Sequence, residues 1–329
     1  MSQNPKHIAV LTSGGDSPGM NAAIRAVVRS CAYHEVKCTG IYRGFEGLIE
    51  KDFEVLNARS VKNIINKGGT FLKSTRSEKF RTDEGRALAY KNLKEENIDA
   101  LVVIGGNGSF KGAEIISDEH GIAVIGIPAT IDNDVNGTDF SIGYDTALNT
   151  VIEAIDKIRD TANSHNRLFL VEVMGRDAGD IALNAGIGAG AEEILIPEEN
   201  LGVDRLLTSL KHSRASGKTS SIIVVSESEK IGKNIFELAE YLKEHLKAYE
   251  IRLTILGHIQ RGGAPSCYDR VLASRLGIKA VETLLLDKKS NVIVGITHRK
   301  LTTIPFQKAA STPRKLDKDL LRVADITSI

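Results

Sequence analysis

Two carboxylates separated by one amide, Asp132 and Asp134 around Asn133, are the residues in this sequence best placed to do chemistry. They follow the short apolar run 122–127, whose β-branched residues predict a buried strand. Open parallel α/β sheets bind their ligands at the carboxyl ends of the strands. A carboxylate there can accept a proton, hold a metal ion or orient a hydroxyl group, although an ordinary Asx turn also explains such a tripeptide taken alone.

The same stretch begins like a calcium-binding EF-hand loop, because Asp132, Asp134, Asn136 and Gly137 match the first half of that pattern. The twelfth position is Gly143, which cannot supply the bidentate carboxylate. A strand is also predicted where an EF-hand requires a helix. The sequence therefore excludes a calcium loop of this type.

Two other predicted strands end in glycine-rich loops, Gly14-Gly15-Asp16 and Gly105-Gly106-Asn107-Gly108-Ser109. Glycine lets backbone N–H groups approach an anion, and the N-terminus of a following helix adds favourable partial charge. Neither loop is a Walker A sequence or the dinucleotide fingerprint. One such loop alone is typical of a plain turn, but two in one α/β chain favour phosphate binding.

Single arginines recur beside these loops, and we expect three of them at the carboxyl ends of strands. Dispersed arginines suit a few contacts to small anions better than a nucleic-acid stripe, with a solvated surface side chain as the alternative at each position. His258 and Glu227 also follow predicted strands, and each has a structural alternative, as a hydrogen-bond donor or a capping carboxylate. The arginines are Arg76, Arg81, Arg167, Arg176, Arg252 and Arg261.

The elements that must position these residues alternate between strand and helix almost from the first residue. This alternation predicts an α/β fold with two doubly wound, mostly parallel-sheet domains and a boundary near Gly143. In the first helix, Ser17 is the expected N-cap, and an apolar face repeats from Met20 onward. A short helix is predicted over 60–66.

The composition argues against several classes of function. The chain has 329 residues and a formal net charge of +1, so its overall charge does not attract it to nucleic acid or anionic membranes. No apolar run approaches the roughly 20 residues that span a bilayer. Three cysteines without metal-ligand spacing and a polar N-terminus without a signal-peptide pattern predict a cytoplasmic protein.

Taken together, the motifs resemble the bacterial ATP-dependent 6-phosphofructokinase family over essentially the whole chain. The Thr-Ile-Asp-Asn-Asp and Gly-His-Ile-Gln-Arg-Gly-Gly runs, in this order and spacing, are highly specific. The resemblance implies transfer of the ATP γ-phosphoryl group to the 1-hydroxyl of fructose 6-phosphate in glycolysis, with Mg2+ as cofactor, in a homotetramer. The matching runs are 14–25, 69–72, 130–134, 174–176 and 257–263.

By the same resemblance, Asp132 is the general base, Thr130 and Asp134 support it, and Arg176 stabilises charge on the transferring group. Arg167 and Arg252 are expected to reach the sugar phosphate of a neighbouring subunit. The remaining substrate contacts are Ile131, Met174, Gly175, Glu227, His258 and Arg261, and the ATP contacts are Gly15, Phe45, Arg76, Ser77, Gly106, Asn107, Gly108 and Ser109. A nucleotide-binding domain is expected over 1–143 plus about 257–310, and a sugar-phosphate-binding domain over 144–256 plus about 311–329.

Two positions depart from the family pattern. Asn107 stands where the family has a magnesium-binding aspartate, so a neutral ligand should weaken the hold on the cation. Ala129 stands where the ATP-dependent enzymes usually have glycine, which adds one methyl group. Pyrophosphate-dependent relatives carry lysine at that position and aspartate at the position of Gly108. This chain has neither, so ATP is the predicted donor.

An effector site for ADP or phosphoenolpyruvate is implied as well, with matching residues Arg25, Arg29, Arg159, Glu192 and Lys218. Ala58 and Ser216 replace basic residues that are common there, while Arg59 and Lys62 are added nearby. Two alternatives stay open at this point. One is a pyrophosphate-dependent phosphofructokinase, and the other is a weakly active regulatory paralogue, which the change at Asn107 favours.

Overall fold

The computed structural model of the chain describes residues 5–163, 167–199, 203–217, 221–228, 234–247, 249–311, 314 and 316–327. The strands are β1 His7–Thr12, β2 Lys37–Ile41, β3 Phe53–Leu56, β4 Ala100–Gly105, β5 Ala123–Pro128, β6 Arg167–Val173, β7 Glu193–Leu195, β8 Ser221–Ser226, β9 Glu250–Ile255, β10 Val292–Thr297 and β11 Lys300–Pro305.

The helices alternate with these strands. They are α1 Met20–Tyr33, α2 Gly44–Glu50, α3 Asp83–Glu95, α4 Asn107–His120, α5 Tyr144–Asn163, α6 Asp180–Gly188, α7 Val203–Ala215, α8 Ile235–His245, α9 Cys267–Leu285, α10 Phe306–Ser311 and α11 Lys318–Thr327, with 3-10 turns at Lys79–Arg81 and Gly257–Arg261. In the described part of the chain, none of these helices has the length and apolarity needed to cross a bilayer.

The chain divides into two compact units. The first comprises Met1–Thr130, Asp134–Thr146 and Arg261–Arg314, and the second comprises Ile131–Asn133, Ala147–Gln260 and Lys315–Ile329. Within the described residues, the first unit has a seven-stranded sheet in the order β11-β10-β5-β4-β1-β2-β3, and the second a four-stranded sheet in the order β7-β8-β6-β9. The small sheet is parallel throughout, and the large one is antiparallel only at its two outer pairs. The predicted α/β class with mostly parallel sheets is confirmed.

Helices cover both faces of the large sheet, which explains why its central strands β1 and β4 are buried at every position and mostly apolar. Along β1, Ile8 and Val10 join the cluster that includes α1 and α9, while Ala9 and Leu11 join the cluster on the opposite face. In the second unit, alternate residues of β6 and β8 pack with α7 and α8 in the same way. Because β1, β4 and β5 are neighbours and parallel, their carboxyl ends open at one edge of the sheet.

Two local predictions are wrong. Residues 60–66 form turns and not a helix. Asn63 takes a left-handed conformation with φ 58°, which interrupts a right-handed helix in the middle of this stretch. Ser17 does not cap α1 either. Gly19 is the N-cap residue, and the Ser17 hydroxyl donates to the carbonyl of Ile142.

The contact between α1 and α9 depends on one glycine. A Cβ added at Gly277 would lie 2.6 Å from Ala26 Cβ and 3.0 Å from the Ala23 carbonyl oxygen. The two helix backbones therefore approach more closely than any larger residue at this position allows.

Replacing Gly277 by alanine should destabilise the protein, although the same change in a free helix is favourable by about 1 kcal/mol. Overpacking against α1 should lower the free energy of unfolding by about 1–3 kcal/mol, measured by urea denaturation. Ala26→Gly in the same chain removes the nearest atom and should restore part of the loss. A Gly277→Ala variant as stable as wild type would contradict the close packing.

Candidate active site

The glycine-rich loops that follow β1 and β4 lie against each other. Ser13 N donates to the Ile104 carbonyl at 2.9 Å, which continues the β1–β4 ladder into the loops. A Cβ at Gly105 would lie 2.5 Å from the Ser13 carbonyl oxygen and 2.6 Å from Ser109 Oγ. This close approach requires glycine, and it brings together the two loops that the sequence predicts to bind phosphate.

The loop after β4 leads directly into helix α4. Gly106 precedes the helix and Asn107 is its first residue, so the first N–H groups of the helix lack partners within it. A Cβ at Gly108 would meet nothing within 4 Å. The N-terminus of α4 therefore presents N–H donors and open space on one side, which suits an anion.

The stretch with the predicted base begins beside this loop. Ala129 N donates to the Gly105 carbonyl at 2.9 Å, and the Thr130 side chain lies beside Gly106. Asp132 is 4% exposed. Asn133 has φ 53°, a left-handed conformation that asparagine tolerates better than most residues. The extra methyl group of Ala129 belongs to the apolar cluster of the large sheet.

Asn107, at the position where the resemblance implies an aspartate, pairs with Asp134. Its Nδ2 donates to Asp134 Oδ2 at 3.0 Å and to the Asp134 carbonyl at 3.2 Å. An aspartate at position 107 has no such donor. Asn107 Oδ1 is buried and has no hydrogen-bond partner among the described residues, which leaves one oxygen available to a cation.

Arg261 lies against the loop after β1. A Cβ at Gly15 would be 2.7 Å from Arg261 Nη1, and the same nitrogen is 3.4 Å from the Asp16 carbonyl oxygen. A residue predicted to hold the sugar phosphate is thus next to a loop predicted to hold the nucleotide. His258, from the same 3-10 turn, is exposed.

The other predicted nucleotide contacts differ in whether their side chains are exposed or are already engaged by neighbouring residues. The Phe45 ring is buried and stacks on Phe80 with ring centroids 4.1 Å apart. The Ser77 hydroxyl donates to the Glu46 carboxylate and accepts from Phe80 N at 3.1 Å. Arg76 is exposed.

In the second unit, the loop after β6 has a constrained backbone. Gly175 has φ 142°, and a Cβ there would lie 2.4 Å from the Ala178 carbonyl oxygen. Arg176 has φ 53° and an exposed side chain. Non-glycine residues in this conformation are uncommon and concentrate at functional sites. Met174 N donates to the side-chain oxygen of Gln260 at 3.1 Å, which anchors the start of the loop.

Glu172 on β6 is influenced by a second glutamate, Glu227, which follows β8. Burial and the neighbouring charge of Glu227 raise the pKa of Glu172 above its ordinary value of 4.5. Glu227 follows β8, and its N–H donates to the Val173 carbonyl at 2.8 Å. A half-buried carboxylate beside another one favours partners that donate hydrogen bonds, such as sugar hydroxyls.

The expectation that three arginines lie at strand carboxyl ends needs correction. Arg176 and Arg261 follow β6 and β9, whereas Arg167 begins β6 and Arg252 lies within β9. Arg167 and Met174 are separated by the length of the strand, about 20 Å. Glu250 contacts both arginines, with Arg167 Nε 2.8 Å from its Oε2 and Arg252 against its other oxygen. The chain therefore does not bring Arg167 and Arg252 together with Met174 and Glu227.

A model of the phosphofructokinase family matches residues 7–284. The chain belongs to this family. It is 51% identical to ATP-dependent 6-phosphofructokinase 2 of Bacteroides thetaiotaomicron over 98% of this chain and 99% of that protein. It is 52% identical to ATP-dependent 6-phosphofructokinase of Clostridioides difficile over 98% of this chain and all of that protein.

Solved phosphofructokinase structures have the same fold. The enzyme of Saccharomyces cerevisiae superposes with a TM-score of 0.86 at 35% identity over 98% of this chain, which spans about half (47%) of the yeast chain. A pyrophosphate-dependent phosphofructokinase of Marinobacter aquaeolei gives a TM-score of 0.83 at 22% identity, over 98% of this chain and 91% of that one. At that identity, the second match shows the fold alone.

The predicted effector residues fall into two groups in this member of the phosphofructokinase family. Arg25 and Arg29 lie one turn apart on α1, where burial and the neighbouring Arg29 lower the pKa of Arg25. In the second unit, Arg159 donates to the carbonyls of Ala189 and Gly190, and its Nη1 lies 3.5 Å from Glu192. Lys218 lies outside the described residues.

Two residues inside the quoted motifs support the loops but were not predicted as site residues. Gln260 is fully buried and connects the loop after β6 with the 3-10 turn through Met174 N and the Gly257 carbonyl. Asn21 accepts from Phe71 N at 2.6 Å and donates to the carbonyls of Lys67 and Gly68. A polar residue at a helical core position, as at Asn21 on α1, was the available signal.

Replacing Glu172 by glutamine should make the protein more stable at neutral pH. Because the folded-state pKa of Glu172 is raised, its contribution to stability is fully present below about pH 4.5 and is lost as pH rises through the raised value. The melting temperature of the variant should exceed that of wild type at pH 7, and the difference should vanish near pH 4.

Glu153→Gln is the matched control, because Lys157 lowers the pKa of Glu153. That change should not stabilise the protein at any pH. Equal melting temperatures for Glu172→Gln and wild type across this pH range would contradict the repulsion between Glu172 and Glu227.

Proposed function

We propose that this protein transfers the γ-phosphoryl group of ATP to the 1-hydroxyl of fructose 6-phosphate and forms fructose 1,6-bisphosphate. The observation that carries the proposal is the position of the 130–134 stretch. It leaves β5 directly beside the glycine-rich loop after β4, so the predicted base follows a phosphate-binding edge. The names of the relatives that are about 50% identical support the same reaction.

In this proposal, Asp132 takes the proton of the attacking hydroxyl. Its burial places the carboxylate in a medium of low dielectric constant, where a general base acts on a bound hydroxyl without competition from bulk water. Thr130 and Asp134, two residues before and two residues after Asp132, orient the 130–134 stretch. Arg176 supplies positive charge where negative charge develops on the transferring group, which is the main demand of phosphoryl transfer.

ATP is the proposed donor for two reasons. The glycine loops after β1 and β4 and the N-terminus of α4 offer backbone N–H groups to a polyphosphate chain. Gly108 leaves open space beside these groups, and the Ala129 methyl group is taken up by the apolar core. Lysine and aspartate at these positions, as in the pyrophosphate-dependent pattern, would fill that space.

The residues present fit a magnesium ion that arrives with the nucleotide. Asn107 Oδ1 is a buried oxygen without a hydrogen-bond partner, and oxygen ligands are those that Mg2+ prefers. Within the described residues, no group of three or more His, Cys, Asp or Glu side chains could hold a metal ion. A cation coordinated largely by phosphates needs only one or two protein oxygens. When bound, it neutralises charge on the β- and γ-phosphates.

We also propose an oligomeric state, a role for each unit and a cellular location. Arg167 begins β6 and Arg252 lies in the first half of β9, both away from Met174, which supports a role in the site of a neighbouring subunit. The proposed assembly is a homotetramer. The first unit would bind nucleotide and the second most of the sugar phosphate, in the cytoplasm. ADP or phosphoenolpyruvate would act on the separate site that includes Arg25 and Arg159.

One assay decides between the donors. Purified protein is given fructose 6-phosphate with either ATP or pyrophosphate across a magnesium titration, and fructose 1,6-bisphosphate is measured. We expect product from ATP alone. Product from pyrophosphate would overturn the choice of donor, and no product at any magnesium concentration would favour a regulatory paralogue.

Replacing Asn107 by aspartate should change how the protein responds to magnesium. The variant loses the hydrogen bond to Asp134 Oδ2 and places two carboxylates together, so without divalent cations its melting temperature should fall below that of wild type. Added Mg2+ should raise the melting temperature of Asn107→Asp and have little effect on wild type, because a charged ligand set holds the cation without nucleotide.

The magnesium concentration for half-maximal activity should also be lower in Asn107→Asp than in wild type. Asn107→Ser, which retains an oxygen and adds no charge, is the matched control and should show no magnesium-dependent stabilisation. Identical magnesium responses of wild type and Asn107→Asp, in both melting and activity, would show that this site does not hold the cation.

A further inference from the structure

One buried carboxylate connects the starts of two helices in the first unit. Asp269 lies in the first turn of α9 and is fully buried. Ser266 Oγ caps the same helix by accepting from Asp269 N at 3.2 Å. The carboxylate itself points to the beginning of α5, a segment more than 120 residues earlier in the sequence.

The Asp269 carboxylate accepts three hydrogen bonds there. Its Oδ1 accepts from Gly143 N at 2.8 Å, and its Oδ2 accepts from Thr146 N at 2.8 Å and Thr146 Oγ1 at 2.5 Å. Since α5 begins at Tyr144, these N–H groups are the two that a capping box satisfies within one helix. Here a side chain from another helix satisfies both.

Further bonds close the network around this carboxylate. Thr146 Oγ1 accepts from Ser266 N at 2.9 Å, and Ser266 Oγ donates to Asp145 Oδ2 at 2.5 Å. Hydrogen bonds to an ionised acceptor are stronger than neutral ones, and they are costly to lose when the donors are buried. The first turn of α5 is therefore firmly held against α9.

This attachment lies at the end of the segment that carries the predicted base. Ile142 N donates to the Pro128 carbonyl at 3.0 Å, and Ala129 and Ile142 form an isolated parallel bridge. The loop between them contains Asp132. Ser17 Oγ holds the Ile142 carbonyl at 3.0 Å, and Asp269 holds the next residue, Gly143.

We infer that Asp269 is a positioning residue for the proposed phosphoryl transfer. By fixing Gly143 and Thr146, it holds the closed end of the 129–142 loop and thereby the place of Asp132. The inference rests on the proposed function, because it assigns Asp132 as the base. Displacing a reacting group by about 1 Å can cost a factor of 100 in rate, so a distant carboxylate that fixes this loop contributes to turnover.

Two substitutions remove this contact in different ways. Asp269→Asn keeps the volume but turns an N–H donor toward the donors on α5. Thr146→Val removes only the hydroxyl group, and Thr146→Ser retains it as the conservative control. Leu242→Ala, a fully buried core change in α8 of the second unit, controls for general loss of stability.

Steady-state kinetics and amide hydrogen exchange are measured on these variants well below their melting temperatures. Asp269→Asn should lower kcat by roughly 10- to 100-fold and change both KM values by less than about 3-fold. Thr146→Val should show a smaller loss of kcat, and Thr146→Ser, which retains the hydroxyl group, should keep a kcat close to that of wild type. Exchange in the peptides of 129–143 should accelerate in Asp269→Asn and Thr146→Val alone, and Leu242→Ala should keep the kcat of wild type.

A loss of kcat in Leu242→Ala as large as that in Thr146→Val would overturn the inference, because general destabilisation would then explain both. Unchanged exchange over 129–143 in Asp269→Asn and Thr146→Val would also overturn it, whatever the activity. Should Asp269→Asn fail to fold, kcat and hydrogen exchange are compared between Thr146→Val and Thr146→Ser instead. If wild type forms no product from either donor, the proposed function fails, whereas the exchange data still decide whether Asp269 holds the loop.

Discussion

The parallel hydrogen bonding of β1, β4 and β5 is the constraint on which the candidate site depends. Parallel neighbours end at the same edge, so the three loops that follow them must share that edge. The ladder even extends past the strands, through the bonds from Ser13 to Ile104 and from Ala129 to Gly105. Glycine is required at position 105 because the loop backbones are too close for a side chain. The two loops that are predicted to bind phosphate and the loop with the predicted base are thus brought to one edge by the same strand register.

Much of this arrangement could be predicted from the sequence, because it follows from short-range patterns. Apolar runs ending in glycine predict parallel strands with open carboxyl ends, and the motif order predicts the family. The errors come from local competition that the pattern does not reveal. Asn63 takes a left-handed conformation that interrupts a helix over 60–66, and Ser17 bonds to the Ile142 carbonyl, 125 residues away, and so does not cap α1.

The residues that support the site were the hardest to predict, since their partners lie far along the chain. Asp269 satisfies N–H groups 123 and 126 residues away, and Gln260 reaches Met174 N across 86 residues. Strand direction also separates Arg167 from Met174 although they are near in sequence, because Arg167 begins the seven-residue strand β6 and Met174 follows its end. Asn107 is a different case. The resemblance implies an aspartate at this position, but only the structure gives the hydrogen bond from Asn107 to Asp134.

We propose that Asp132 acts as the base in transfer from ATP to fructose 6-phosphate, and this role can be tested directly. The most direct measurement follows a single turnover with γ-labelled ATP and compares wild type with Asp132→Asn, a change that keeps volume and removes the proton acceptor. We expect label on the 1-position of the sugar in wild type, and a transfer rate lower by a factor of about 100 to 10,000 in the variant at unchanged ATP affinity. Transfer at the wild-type rate in Asp132→Asn would contradict it.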